Sequence, residues 1–401
     1  MKFITYAENL EQLEKISELQ KKYSFSPDQL EVIVGLQALS RFSETTKENL
    51  MAMIARNQML KLPLILEWDV LKQDGLFKKI LEEFKTLPLH EFTAVRVQDP
   101  GALHFLKEHF PWLKIQLTLE NGNHNLAGLK RWCEFLGNQL DRLILSNELS
   151  KDHLSRYAAD LEAPIEVLGF GRILLFYSPR NLLSPLTKEE TKARMLQGKN
   201  LEAFGTSEES PHTGFPLIEN QHGTFMFNVK DLSLVDHLHE LKNMGIKAVR
   251  FDLRFDETFR HLEMMLKHFI HHSPQDFTDI RAQHPRPVIK GFYNINKTDV
   301  LFSKLKNKRI ERQDENYLGE IVDVERDFKI AMIVKSKGRK IHAGDEIKVV
   351  TPEGKTKIFT INEMLTSNGL QITSAAMNEI VLFPYVRGIV TKSQVYLNSK
   401  T

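Results

Sequence analysis

Eight short apolar, β-branched runs punctuate the first two-thirds of this chain, and their rhythm constrains the fold more than any other feature. They lie at residues 2–6 (KFITY), 31–36 (EVIVGL), 62–68 (LPLILEW), 93–97 (TAVRV), 114–119 (KIQLTL), 142–146 (RLILS), 165–168 (IEVL) and 248–253 (AVRFDL). Between most of them apolar residues recur at three- and four-residue spacing, as in 46–60 and 126–136, which is the period of an amphipathic helix. Strands alternating with helices specify an α/β fold with a parallel sheet. The count predicts a closed (β/α)8, TIM-like barrel over residues 1–295; a doubly wound open sheet is the other arrangement that the pattern allows.

The rhythm breaks over residues 172–247, which read as an insertion: a helix over 188–201, a polar loop over 205–216, and a hairpin from 215–218 and 224–228 turning at 220–223. Long insertions on a barrel sit over the active-site mouth or at an interface, so a lid is expected here. Residues 296–316 form a charged linker containing KLKNKRIERQDE. Beyond it, 317–401 show short strands at 318–324, 329–334, 346–350, 357–361 and 380–383, parted by turn signals at Gly344 and Gly354. A small all-β barrel is expected there.

Hydrophobic residues make up 42% and charged residues 26%, the balance of a soluble globular chain. A formal charge of +2 gives no overall field that argues for nucleic acid or an acidic membrane. The N-terminus runs into acid after a few apolar residues, and no apolar run reaches membrane-spanning length. A cytoplasmic protein without membrane attachment is the expectation. Cys133, in a helical pattern, is the one cysteine. It permits no intramolecular disulfide and falls short of the roughly four thiolates that an iron–sulfur cluster needs.

Residues 166–184 read EVLGFGRILLFYSPRNLLS, in which Glu166, Gly171, Ser178 and Ser184 fall on the signature of the peptidase U32 family. The likeness extends to QDPG at 98–101, LSNELS at 145–150, KDL at 230–232, RFDLR at 250–254, and YLGE and TPEG in the C-terminal part. The chain thus resembles that family along nearly its whole length. The resemblance implies a barrel followed by a small β-module, and two activities: proteolysis, which names the family, and cluster-dependent hydroxylation of RNA or of a ubiquinone precursor. Leu174 and Asn181 stand where the signature carries its two cysteines, and the second cysteine group, due between about 205 and 227, is missing too. No cofactor is therefore expected. The two readings are a U32 peptidase-like hydrolase and a non-catalytic relative that binds a second U32 protein or RNA.

Barrel enzymes carry their functional groups at the C-terminal ends of the strands. Here those ends supply Gln37, Glu67, Asp69, Gln98, Asp99, Glu120, Asn121, Glu148, Arg172, Asp252 and Arg254. Glu67, Glu120 and Asp252 are the candidates for proton transfer. Arg172 and Arg254, with Asn121 and Gly171, are the candidates for binding a small anionic or polar ligand, since guanidinium forks hold carboxylate or phosphate. The same residues could instead form ion pairs that close the barrel rim. Gly169-Phe170-Gly171 reads either as a phosphate cradle or as a tight barrel turn. His261, His268 and His272 share a helical face, but the chain has no HExxH and the spacing fits an amphipathic surface helix, so no metal is expected. The basic runs at 304–312 and 335–340 read as solvated charge or as contacts to RNA phosphates.

Overall fold

The computed structural model describes the chain except for residues 121–124, 187–199, 207–212, 256, 272–273, 295–314, 327, 353 and 399–401. Two compact units divide at Asn296 and Lys297. In the first, strands β1 (Lys2–Tyr6), β2 (Leu30–Val34), β3 (Leu64–Trp68), β4 (Ala94–Val97), β5 (Ile115–Thr118), β6 (Leu140–Ile144) and β7 (Ile165–Gly171) pair in sequence order, all in parallel. Strand β13 (Ala248–Phe251) pairs in parallel with both β7 and β1, which closes an eight-stranded barrel. This is the TIM-like arrangement that the eight runs specify.

Helices α1 (Leu10–Lys22), α2 (Lys47–Leu60), α3 (Asp74–Lys85), α4 (Pro100–His109), α5 (Leu126–Leu136) and α6 (Lys151–Asp160) connect the strands. Most start where a side chain replaces a missing backbone acceptor. Asn9, Thr46, Asp99, Asn125 and Ser150 each accept a hydrogen bond from an N–H of the first turn that follows. Asp99, one of the strand-end polar residues, is thereby spent as a cap.

Two apolar clusters follow from strand alternation. The larger one lies between strands and helices and includes Phe3, Val32, Leu66, Val95, Leu117, Leu143, Val167 and Phe251. The smaller one, Ile4, Tyr6, Ile33, Ile65 and Ala248, has the opposite parity and fills one side of the barrel interior. The other side is ionic. Arg96, Gln116, Arg142, Glu166 and Arg250 are all at most 5% exposed, on β4, β5, β6, β7 and β13.

Between β7 and β13 an antiparallel sheet of order β8-β11-β10-β9 is built from β8 (Leu174–Ser178), β9 (Leu201–Thr206), β10 (Thr213–Asn220) and β11 (Gly223–Phe227). The hairpin read from the sequence is β10 and β11. The helix read over 188–201 falls at 188–199 outside the described residues, and Leu201 starts a strand. Of the polar loop read over 205–216, residues 207–212 lie outside the described residues and the rest is strand, because β9 and β10 pair with each other. Cross-strand partners supply what local composition does not. Two more helices, α8 (Leu262–His271) and α9 (Pro274–Gln283), follow β13, after the short α7 (Leu238–Asn243). His261 and His268 are buried, so the histidine-bearing face of α8 turns inward rather than to solvent; His268 Nε2 lies 3.2 Å from the Val235 carbonyl. Leu262, Met265, Leu266 and Phe269 draw that face onto the barrel. His272 is outside the described residues.

The second unit is all-β. Eight strands pair in an antiparallel sheet that includes β15 (Tyr317–Glu325), β16 (Lys329–Val334), β18 (Glu346–Val350), β19 (Thr356–Thr360), β23 (Ile380–Pro384) and β24 (Gln394–Leu397). A core of Leu318, Ile321, Ile330, Met332, Val334, Ile347, Val349, Val381 and Val395 lies on one face. Most of the charged linker lies outside the described residues.

Candidate functional site: the barrel mouth

A cavity of about 470 Å3 opens at the C-terminal ends of the barrel strands. Its lining gathers Tyr6, Glu67, Arg96, Gln98, Thr118, Glu120, Arg172, Arg250, Asp252 and Arg254 from strands and the turns after them. The loop after β2 adds Arg41 and Phe42, and the inserted sheet adds Leu174, Leu175, Phe176, Tyr177 and Phe227. The three proton-transfer candidates and both arginine candidates thus meet in one chamber. Asn121 lies outside the described residues, and Gly171 is not part of the lining.

Gly171 has another task. It ends β7 at φ +144°, and a Cβ there would come within 2.9 Å of Asp252 Cβ. At Gly169 a Cβ would come within 2.2 Å of Val249 Cγ1. The Gly-Phe-Gly turn is therefore a strand segment that lets β7 and β13 approach closely, with Phe170 and Gly171 paired in the sheet. That close approach accounts for both glycines without a ligand.

The mouth carboxylates are held by arginines and hydroxyls. Glu67 Oε1 accepts from the Tyr6 hydroxyl at 2.9 Å, while Oε2 accepts from Ser40 Oγ at 2.5 Å and from Arg254 Nη1 at 3.1 Å. Asp252 accepts from Arg254 Nε at 3.0 Å and from Nη2 at 2.8 Å. Burial alone would raise the Asp252 pKa, but the Arg254 charge and its hydrogen bonds outweigh this and hold the carboxyl below its ordinary value. Glu120 accepts from Arg250. Arg41 pairs with Asp69 through a 2.7 Å bond from Nε. The Arg254 guanidinium also lies 3.5 Å from the Tyr6 ring centroid. Burial pushes the Tyr6 phenol far up, so it stays a hydrogen-bond donor.

One carboxyl that the sequence reading overlooked behaves differently. Glu8, on the turn after β1, accepts from Ser43 Oγ at 2.9 Å, and its Oε1 is buried without a partner among the described residues. Burial pushes its pKa up to about 7; the Arg254 charge and the Ser43 hydrogen bond pull it back, and the charges on Glu67 and Asp252 add to the rise. Glu8 and Asp252 share the neighbourhood of Arg254 but shift in opposite directions, Glu8 up and Asp252 down.

Several further polar atoms have no hydrogen-bond partner among the described residues. Arg41 Nη1, Arg96 Nη1, Thr118 Oγ1 and Gln98 Oε1 are buried and unpartnered, and all four residues line the cavity. Arg96, Arg41 and Thr118 are at most 6% exposed. A buried polar atom without a hydrogen-bond partner costs about 1–3 kcal/mol, and none of these four finds one among the described residues. An apolar wall of Phe42, Phe227, Phe255 and Tyr177 surrounds it, with the Arg172 guanidinium 4.4 Å from the Phe255 ring centroid. Guanidinium and hydroxyl donors, with the Gln98 oxygen as an acceptor, below aromatic walls suit a small polar or anionic molecule.

The lining also bears on cluster chemistry. Leu174, at one of the signature's cysteine positions, puts an aliphatic side chain into the cavity, and Cys133, on α5, is not among the lining residues. Among the described residues no three His, Cys, Asp or Glu side chains are grouped to hold a metal ion. The donor set does not fit a thiolate-held cluster. Nor does any described helix have the length and apolarity to cross a membrane.

Comparison with known proteins gives four further findings. The sequence profile of peptidase family U32 matches residues 14–298. The tRNA hydroxylation protein P of Escherichia coli strain K12 is 21% identical over 384 residues, covering 82% of each chain. The tRNA hydroxylation protein P2 of Bacillus subtilis strain 168 is 25% identical over 156 residues, covering 38% of this chain and 49% of that one. A solved U32 peptidase structure overlaps 43% of this chain and 70% of its own at 11% identity, with a TM-score of 0.34, too low to bear on the site.

Proposed function

We propose, from the premise that this chain belongs to peptidase family U32, that it serves tRNA hydroxylation by holding a small anionic or polar molecule in its barrel mouth, without a thiolate-held cluster of its own. The observation that carries this reading is the set of buried, unpartnered polar atoms at the mouth: Arg41 Nη1, Arg96 Nη1, Thr118 Oγ1 and Gln98 Oε1. The names of the tRNA hydroxylation relatives supply the process. In this reading Arg172 and Arg254 shape the chamber, and Glu120, whose partner is Arg250, faces the ligand. Because one cysteine cannot hold a cluster, the oxidising centre comes from elsewhere, such as a second U32 protein, and this chain contributes binding.

Peptide hydrolysis, which the family name carries, is the weaker reading. Glu67 and Asp252 are engaged by Arg254, Tyr6 and Ser40, which opposes a role for either in taking a proton from water.

Mass spectrometry of tRNA nucleosides from a strain lacking this protein tests the proposal. Hydroxylated nucleosides should fall and should return with the wild-type chain but not with Thr118→Val/Gln98→Leu, whose folding is checked by circular dichroism. Unchanged hydroxylation in the deletion strain would exclude the role. Anaerobic purification followed by iron and sulfide assay checks the cluster: a stoichiometric amount in this chain alone would overturn the binding-only reading.

A further inference from the structure

The β-module carries a turn that the barrel-mouth reading does not use. Between β16 and β17 (Ile341–His342) the chain reads Lys335-Ser336-Lys337-Gly338-Arg339-Lys340, which places four cations in six residues. The turn is pinned rather than loose. The Lys335 and Ser336 N–H groups both donate to the Leu318 carbonyl, at 2.8 and 3.2 Å, and the Arg339 N–H donates to Ser336 Oγ at 3.2 Å. Lys335 is paired with Glu320 at 2.5 Å, and Arg339 Nη1 donates to Asn316 Oδ1 at 3.1 Å.

Lys337, Arg339 and Lys340 are exposed, and among the described residues none has a carboxylate within ion-pair distance. Elsewhere the chain answers most of its buried arginines with acid, and its net charge is only +2. Three exposed cations without a carboxylate partner, close together on a turn fixed by backbone bonds, concentrate positive potential there, which suits a polyanion. A turn whose backbone is already ordered gives up little further freedom when it binds.

We infer that the 335–340 turn is a contact surface for the phosphate backbone of RNA, through Lys337, Arg339 and Lys340. The inference rests on the proposed role with tRNA. Each cation that neutralises a phosphate releases condensed counterions, so the contact is read as a salt dependence. It carries no base specificity, because phosphate contacts position the nucleic acid rather than read it.

The experiment is fluorescence anisotropy of labelled bulk tRNA with the full chain, titrated across salt. The variant Lys337→Ala/Arg339→Ala/Lys340→Ala should bind roughly tenfold or more weakly at low salt, with a plot of log affinity against log salt shallower by about two to three. The variant substitutes only exposed side chains, and an unchanged melting temperature confirms its fold. Equal affinity and slope in wild type and variant would overturn the inference. So would binding by this turn to phosphatidylserine-containing vesicles but not to tRNA. A lost slope in the turn variant alongside unchanged tRNA hydroxylation in the deletion strain would leave the RNA contact standing and remove the hydroxylation role; the converse result would do the reverse.

Discussion

Arg96 Nη2 lies 2.6 Å from Glu166 Oε2 inside the barrel, with the two side chains 1% and 0% exposed. Arg142 Nη1 and Arg250 Nε approach the same carboxylate at 3.6 and 3.8 Å. The signature residue Glu166 is therefore the counter-charge of three guanidinium groups contributed by three other strands. Replacing an ion pair by fitted apolar groups can be harmless, but removing one partner leaves the others buried and unanswered. Glu166→Gln should cost about 3–5 kcal/mol in urea unfolding. A midpoint equal to wild type would show that Glu31 and Glu120, which accept from Arg142 and Arg250, suffice without it.

The Gly171 backbone points to a second outcome. Alanine there would adopt a φ disfavoured for L-residues while its Cβ pressed on Asp252. A loss of roughly 2–3 kcal/mol is expected, since neither strain can relax without moving β7 from β13. Differential scanning calorimetry of Gly171→Ala reads it. Gly75→Ala, in helix α3 with nothing within 4 Å of the added Cβ, is the control and should melt at or slightly above wild type.

How much of this was legible beforehand depended on which physical signal each part leaves in a sequence. The barrel was legible because each strand carries its own apolar run and needs no distant partner to declare it. Glu67, Glu120, Arg172, Asp252 and Arg254 were legible because strand ends converge on one mouth. Arg96, Arg142 and Arg250 were not. A single arginine inside an apolar run looks like an outward residue, and only closure of the barrel turns it toward Glu166. Strands β8 and β9 were hidden because their stability lies in pairing with β11 and β10. Glu8 was hidden because its partner Ser43 and the charges of Arg254, Glu67 and Asp252 that act on it are remote in sequence.

Glu8 makes stability depend on pH. Its folded pKa of about 7 stands above the ordinary value of 4.5, so between those values the folded state binds more protons than the unfolded one. Stability from this group is full below about pH 4.5 and is lost as pH rises through about 7. The loss is on the order of 2–3 kcal/mol between pH 5 and 8. Glu8→Gln, which mimics the protonated form, should flatten that slope while keeping the Ser43 contact. Urea midpoints across this range decide the matter; a slope retained in Glu8→Gln would assign the proton to another group.

Thr118 separates folding from ligand binding more sharply than any charged residue of the mouth. Its hydroxyl is buried, 4% of the residue is exposed, and Oγ1 has no partner among the described residues, so no bond within them offsets its desolvation. Valine has nearly the same shape and lacks that cost. Thr118→Val should therefore raise stability by about 1 kcal/mol in thermal unfolding. A group retained at a loss to stability is explained only if something else uses it. The same substitution should then weaken tRNA hydroxylation in the complementation assay. If Thr118→Val were instead destabilising, Oγ1 would have a partner in the folded protein, and the mouth would lose one of the donors on which its ligand-binding role is argued.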